Sequence, residues 1–275
     1  MNEVLLYNKT IQITFREGNH SYLVNGKSGY PSVTGITGVI DKPGLKFWSA
    51  NLCGEYVKEK VDGFNGKITP EVVKVWAEDG KKEHTKFKEK AADLGSQVHD
   101  FCEQYIKFSL GIVKEKPEIT KNMDERVRNG ILAFLQLVEE KDIKFIASEK
   151  IIFSKKHKFV GRLDLKFTIG GKEKHKILHM GDFKTGNPRE LTHIEKGVKI
   201  VDGYEPWEEH RYQVSGYQGA DIEESGDVFG SKYIFYLSKE TGEFKDFECD
   251  DQEKDYKAFL SAKYLFDRAK EIKAK

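Results

Sequence analysis

The chain has 275 residues, 38% of them hydrophobic, 12% aromatic and 33% charged, a balance that excludes a disordered or fibrous chain and allows a sizeable buried core. The formal net charge is only +1, so any contact with nucleic-acid phosphates has to come from local patches. No basic stretch followed by an apolar run opens the chain, and the longest apolar run, Ile131 to Val138, is broken by Gln136 and is far too short for a bilayer. Cys53, Cys102 and Cys249 are widely spaced. They suit thiols in a reducing compartment and offer neither a disulfide framework nor paired zinc ligands. A soluble, cytoplasmic protein is expected.

Residues 11–24 alternate around Gly18-Asn19 and predict a β-hairpin. Leu45, Trp48, Leu52 and Tyr56 recur at helical spacing behind Pro43, predicting a helix over 43–60. Thr69-Pro70-Glu71 opens a second helical stretch, expected to run with breaks to about Lys107. Glu125 to Glu140 is a third helix, with Val127, Ile131, Phe134, Leu135 and Val138 on one side. Beyond Asp142 the texture changes. Strands are expected at Phe145–Ser154, Phe159–Ile169 and His175–Lys184, the first two joined through Lys155-Lys156-His157-Lys158 and the next two through Gly170-Gly171. Gly186 to Pro206 is expected to be a long loop. A helix over 207–222, strands at Tyr233–Ser238 and near Glu243–Cys249, and a helix from Gln252 to about Lys273 complete the chain, with disorder confined to Lys270–Lys275. This order predicts a mixed α/β (α+β) fold: a central mixed sheet flanked by helices, plus an N-terminal hairpin and helical region. The whole chain reads as one domain, residues 1–142 being its hairpin and helical part and 143–275 its β-rich core and final helix.

Candidate chemistry begins at Asp182-Phe183-Lys184, because residues two apart on a strand project to one face and bring a carboxylate and an ammonium together. The pattern is weak alone; it recurs at Asp142/Lys144, Asp164/Lys166, Glu243/Lys245 and Glu271/Lys273, among others, where a solvated face explains it. Asp182, however, closes an apolar strand, and a hairpin could set it beside Asp164 of the preceding strand. Two such carboxylates repel unless a cation lies between them, which points to a divalent metal. Upstream, Gly95, His99 and Glu103 fall on one face of the second helix. Glu149 lies on the first strand of the β region, its face undetermined by alternation. Gln213 and Tyr217, four apart on the helix after Trp207, could read a phosphate or a base or form a surface hydrogen bond.

The ordered set GSQVH (95–99), Glu149, GRLD (161–164), DFK (182–184) and QVSGY (213–217) resembles the RecB-type branch of the PD-(D/E)XK nucleases. With Tyr30-Pro31-Ser32-Val33-Thr34 upstream, it is also similar to phage-type exonucleases and the mitochondrial genome-maintenance exonuclease. The likeness covers roughly residues 20–240, and the order of the five motifs is what makes it specific. It implies a restriction-endonuclease-like core and an Mg²⁺- or Mn²⁺-dependent deoxyribonuclease using one or two ions. His99, Asp164, Asp182 and the backbone carbonyl of Phe183 would be ligands, with Glu149 and Glu103 as further candidates. Asp164, Asp182, Lys184 and Glu149 would carry the chemistry, Lys184 placing the attacking water. Gln213, Tyr217 and the Lys155, Lys156 and Lys158 cluster, expected near the site, would contact DNA. An iron–sulfur cluster is not expected, since three cysteines at this spacing do not supply its ligands. The resemblance implies an exonuclease of phage or bacterial recombination or end-processing, acting on DNA ends and working with a strand-annealing or recombination protein. A structure-specific or restriction-like endonuclease, a non-catalytic DNA-binding module and a metal hydrolase of other substrates are the alternatives.

Overall fold

The computed structural model describes residues 2–19, 21–170 and 177–274. The chain divides into two compact units, Met1–Ile40 with Val98–Lys275, and Asp41–Gln97.

The larger unit opens with β1 (Asn2–Leu6), β2 (Ile11–Arg16) and β3 (Ser21–Val24), an antiparallel sheet in that order. The expected hairpin is β2–β3. The strand β1 goes beyond the expectation, since its turn to β2 contains no glycine or proline; Tyr7, Asn8 and Lys9 instead take left-handed φ values of 52°, 54° and 68°, a turn chemistry with little sequence signal. After the short helix α1 (Val33–Thr37), capped by the Ser32 hydroxyl accepting from the Gly35 N–H, the chain passes through the smaller unit and returns.

The smaller unit holds α2 (Pro43–Asp62) and the first part of α3 (Pro70–Ser109). Trp48 meets Phe87 edge-on with centroids 5.4 Å apart, and Phe64 meets Trp76 at 5.2 Å. The helix α3 runs 40 residues without interruption, where breaks were expected. Ion pairs one turn apart, Glu78–Lys81 and Glu83–Lys86, support it locally, and a Cβ at Gly80 would stand 3.1 Å from the Cys53 carbonyl, so the glycine serves packing.

In the larger unit follow α4 (Glu125–Glu140), β4 (Lys144–Ser154), β5 (Phe159–Thr168), β6 (Leu178–Lys184), β7 (Arg189–Glu195), β8 (Val198–Glu205), α5 (Glu208–Ser225), β9 (Phe229–Leu237), β10 (Phe244–Cys249) and α6 (Gln252–Lys273). The main sheet has the order β10-β9-β6-β5-β4, with β6 and β9 parallel and the other neighbours antiparallel. On one face Leu163, Met180, Ile234 and Tyr236 pack with Val214 and Tyr217 of α5 and Phe259 of α6. On the other, Phe235, Phe183 and Phe134 of α4 form a chain of ring contacts. The result is a mixed sheet between helices, as the sequence predicts.

Two expectations need correction. The segment 186–206 is a two-stranded ribbon, β7–β8, turned through Lys196 and Gly197 at φ 50° and 81°, a two-residue hairpin turn that positive φ favours. Its side chains are largely exposed, so it lacks the alternating burial that marks a strand. The C-terminus is helical through Lys273 rather than disordered from Lys270. The predicted turn residue Gly171 and strand start His175 lie outside the described residues.

The glycine of GRLD has a steric reason. A Cβ at Gly161 would come within 2.7 Å of the Tyr217 ring and 2.9 Å of Val33, so strand, helix α5 and α1 meet there with no room for a methyl group. Gly161→Ala should cost about 1–3 kcal/mol through overpacking. A urea titration should show a lower midpoint with unchanged slope; an unchanged midpoint would refute the steric argument.

Candidate active site

The site forms where two strands part. The β5–β6 ladder pairs Phe167 with His179, Lys166 with Met180 and Leu165 with Gly181, and stops there. One step further the same register would set Asp164 opposite Asp182. Instead the Asp164 carboxylate inserts, its Oδ2 accepting the Phe183 N–H at 2.8 Å, and so takes a donor that the ladder would have used. In extended backbone a residue's N–H and C=O point to the same neighbour, so the Phe183 carbonyl also faces β5.

On the other side of β5, Ser148 pairs with Leu165 and Lys150 with Leu163, which sets Glu149 abreast of Asp164. Glu149 has φ 51°, uncommon for a residue with a side chain. The faces of β5 also switch at this level. Leu163 packs under α5, whereas Phe167 packs against Phe235 on the α4 side; a regular strand would keep residues four apart on one face. Glu149, Asp164 and Asp182 therefore stand abreast on three neighbouring strands, at a local irregularity that no period-two pattern in the sequence could reveal.

Each carboxylate has distinct company. Asp182 is 1% exposed. Its Oδ1 accepts from Gln213 Nε2 at 3.1 Å. Its Oδ2 lies 2.5 Å from Lys184 Nζ, an ion pair inside the protein. Gln213 also donates to Tyr217 Oη at 3.0 Å and accepts from Lys184 Nζ at 3.2 Å. His99, near the end of α3, points Nδ1 at Asp164 Oδ2 from 3.8 Å. Glu149 is held by Arg162 Nε at 2.5 Å, and that guanidinium lies 4.9 Å over the Phe15 ring. Glu103 pairs with Lys107 one turn on.

The structure thus brings His99, Asp164, Phe183, Asp182 and Lys184 together. Among the described residues, no three His, Cys, Asp or Glu side chains converge on one point as they stand, because Asp182 is turned toward Lys184 and Gln213. Gln213 and Tyr217 are buried and aim at Asp182 rather than outward. The Lys155, Lys156 and Lys158 turn corrects an expectation: it is not near the carboxylates. Asp164 lies six positions beyond Lys158 along the chain, about 20 Å at ordinary strand rise. Arg162 was overlooked, although it lies inside GRLD two residues before Asp164, where alternation alone could have flagged it.

Burial drives the electrostatics. Desolvation, reinforced by the Asp164 charge and only partly offset by Arg162, pushes the Glu149 carboxyl up to about 8. Desolvation likewise raises Asp182 to about 7, against the lowering effect of Lys184 and with a further push from Asp164. Buried, mutually repelling carboxylates are the condition that a divalent cation relieves, and hard oxygen donors suit Mg²⁺. The residues present therefore fit such an ion.

No family model matches the sequence, and no curated protein matches it. Among solved structures, one described as "Crystal structure of SSO0001" aligns over 79% of this chain and 86% of its own, at 12% identity and a TM-score of 0.29, a likeness too low to carry an argument.

Both carboxyls bind a proton more tightly in the folded chain than at their ordinary values of 3.8 and 4.5. The native state then holds more protons than the unfolded one between about pH 4 and pH 8, so stability falls as pH rises through that window. In the presence of a chelator, Tm should drop by a few degrees from about pH 5 to about pH 8. Asp182→Asn, which mimics the protonated acid, should match the native chain near pH 5 and melt higher than it near pH 8. Thermal unfolding followed by circular dichroism checks both; a variant that melts lower at the higher pH would contradict the electrostatic account.

Proposed function

We propose that the chain is a divalent-metal-dependent deoxyribonuclease of the PD-(D/E)XK type, acting as an exonuclease. The observation that carries this reading is the parting of β5 and β6 beside three carboxylates set abreast, with Lys184 against Asp182. Phosphodiester hydrolysis needs a strong nucleophile near neutral pH and neutralisation of charge on the leaving oxygen.

Asp164, Asp182, the Phe183 carbonyl and His99 would hold the ion, with Glu149 flanking a second position. When bound, Mg²⁺ or Mn²⁺ supplies the Lewis acidity that activates water and clamps the phosphate. The protein's own groups do the rest. Lys184, fixed between Asp182 and the Gln213 carbonyl, orients the attacking water and offsets negative charge building on the phosphate. Gln213, anchored on Tyr217, keeps the Asp182 carboxylate in one orientation, so its role is positioning rather than direct DNA contact. Arg162 does the same for Glu149, offsetting part of the burial and the Asp164 charge that favour the acid.

Asp182→Ala should abolish Mg²⁺-dependent hydrolysis while leaving the fold and most DNA binding intact. Gln213→Ala should lower the rate about 10–100-fold, as is common when a ligand loses its orienting partner. Linear single-stranded, linear duplex and covalently closed circular DNA serve as substrates. Degradation of linear DNA with survival of the circle supports an exonuclease, and cutting of the circle supports an endonuclease. Absence of metal-dependent cleavage on all three, or full activity in Asp182→Ala, refutes the nuclease site.

A further inference from the structure

A second feature of the larger unit lies away from the carboxylates. Between the β2–β3 sheet and the β4–β5 turn is a cleft of about 300 Å³. Its floor is apolar: Val24, Phe153 and Tyr30 line it, and the Tyr30 ring stands edge-on to Phe153 with centroids 5.4 Å apart. Its rim is cationic. Lys27, Lys155 and Lys158 come from two separate turns, all three exposed. Lys155 Nζ lies 4.2 Å above the Tyr7 ring, and among the described residues no carboxylate pairs with any of the three ammonium groups. The nearby Glu223 is engaged elsewhere, accepting from the Lys156 N–H, Ser154 Oγ and Tyr7 Oη.

Three ammonium groups gathered around an apolar, aromatic floor repel one another and gain most from a ligand that is flat, apolar and anionic at once. A nucleotide unit of a single strand has that chemistry: the base packs on the aromatic floor and the phosphates on either side meet the lysines. A volume near 300 Å³ is at the small end of ligand sites, room for one such unit. The chain's net charge of +1 gives this local patch added weight, because the rest of the surface offers little general attraction for a polyanion.

We propose that this cleft is an anchoring subsite for single-stranded nucleic acid, its floor residue Phe153 lying opposite Val160, about 13 Å along β5 from Asp164 and a few nucleotides from the bond to be cut. As a partner to hydrolysis the subsite rests on the nuclease reading; as a binding site it does not. The strand enters with a base on Tyr30, and Lys27 and Lys158 close on its phosphates from opposite sides.

The test measures binding of a fluorescein-labelled twelve-residue oligothymidine to the full chain carrying Asp182→Asn, in chelator, so that no hydrolysis is involved. Adding Lys27→Glu and Lys158→Glu should weaken binding at least tenfold and reduce the slope of log affinity against log salt by about 1.4. Tyr30→Leu, which preserves packing on Phe153, should weaken it about tenfold with the salt slope unchanged. Affinity unaltered by the lysine pair overturns the subsite. So does free nucleoside monophosphate displacing the oligonucleotide as effectively as an unlabelled twelve-residue strand, since the cleft would then be a mononucleotide site. Failure of the nuclease reading shows separately, as native protein that binds the strand but cleaves no DNA with added Mg²⁺ or Mn²⁺.

Discussion

One hydrogen bond organises the site: the Phe183 N–H donated to the Asp164 carboxylate. A strand in the middle of a sheet normally spends its amides on its neighbours, and a carboxylate can enter only where the ladder is interrupted. The β5–β6 ladder ends at Leu165 and Gly181, and the gap it leaves is filled by Asp164. Because β6 keeps its parallel pairing with β9 through Lys184, the strand stays rigid on one side while it opens on the other. Asp182 and Lys184 are thereby fixed on a firm edge, with the split strand before them. A pair held this way keeps its position by the sheet's own hydrogen bonds.

The motifs that look independent in the sequence form one packed assembly. Gly161 of GRLD leaves the space that the Tyr217 ring of QVSGY occupies. Tyr217 accepts from Gln213, which donates to Asp182 and accepts from Lys184 of DFK. A glycine three residues from Asp164 thus sets, through one ring and one amide, the orientation of a carboxylate on the next strand. His99 reaches Asp164 from α3, and Val98 beside it packs where a Cβ at Gly130 of α4 would stand within 2.7 Å. Ordered spacing of such residues is informative because each is sterically or electrically tied to another.

Much of this was legible in the sequence. Helices with an apolar stripe, such as α4, and strands with a buried core, such as β5 and β9, announce themselves by period. The exposed ribbon β7–β8 and the strand β1 do not, since neither buries enough for alternation to show. In the site, Asp182 and Lys184 share a face by simple strand geometry, and their partnership could be read directly. The positions of Glu149 and Asp164 could not. They depend on a left-handed residue and a switch of faces in β5, irregularities that arise from three-dimensional packing. The burial of Gln213 and Tyr217 was equally hidden, because α5 is apolar and polar on no simple stripe: Gln213, Ser215, Gln218 and Asp221 are all buried. A polar residue on such a helix reads as surface until its partners are known.

The arrangement also has a thermodynamic cost that bears on function. Desolvation raises Glu149 and Asp182 well above ordinary carboxyl values, so as pH rises through neutrality the folded chain takes on charges that it would be more stable without. Such strain is tolerated where the surrounding structure over-determines it, and here Arg162, Lys184 and the Gln213–Tyr217 pair do so. The same strain raises the affinity for any species that neutralises it, because binding relieves a penalty already present in the free protein. A carboxylate pair made comfortable by hydrogen bonds on every oxygen would bind a cation weakly. At Asp182 the balance rests on Lys184, whose ammonium offsets part of the burial penalty, while the nearby Asp164 charge adds to it.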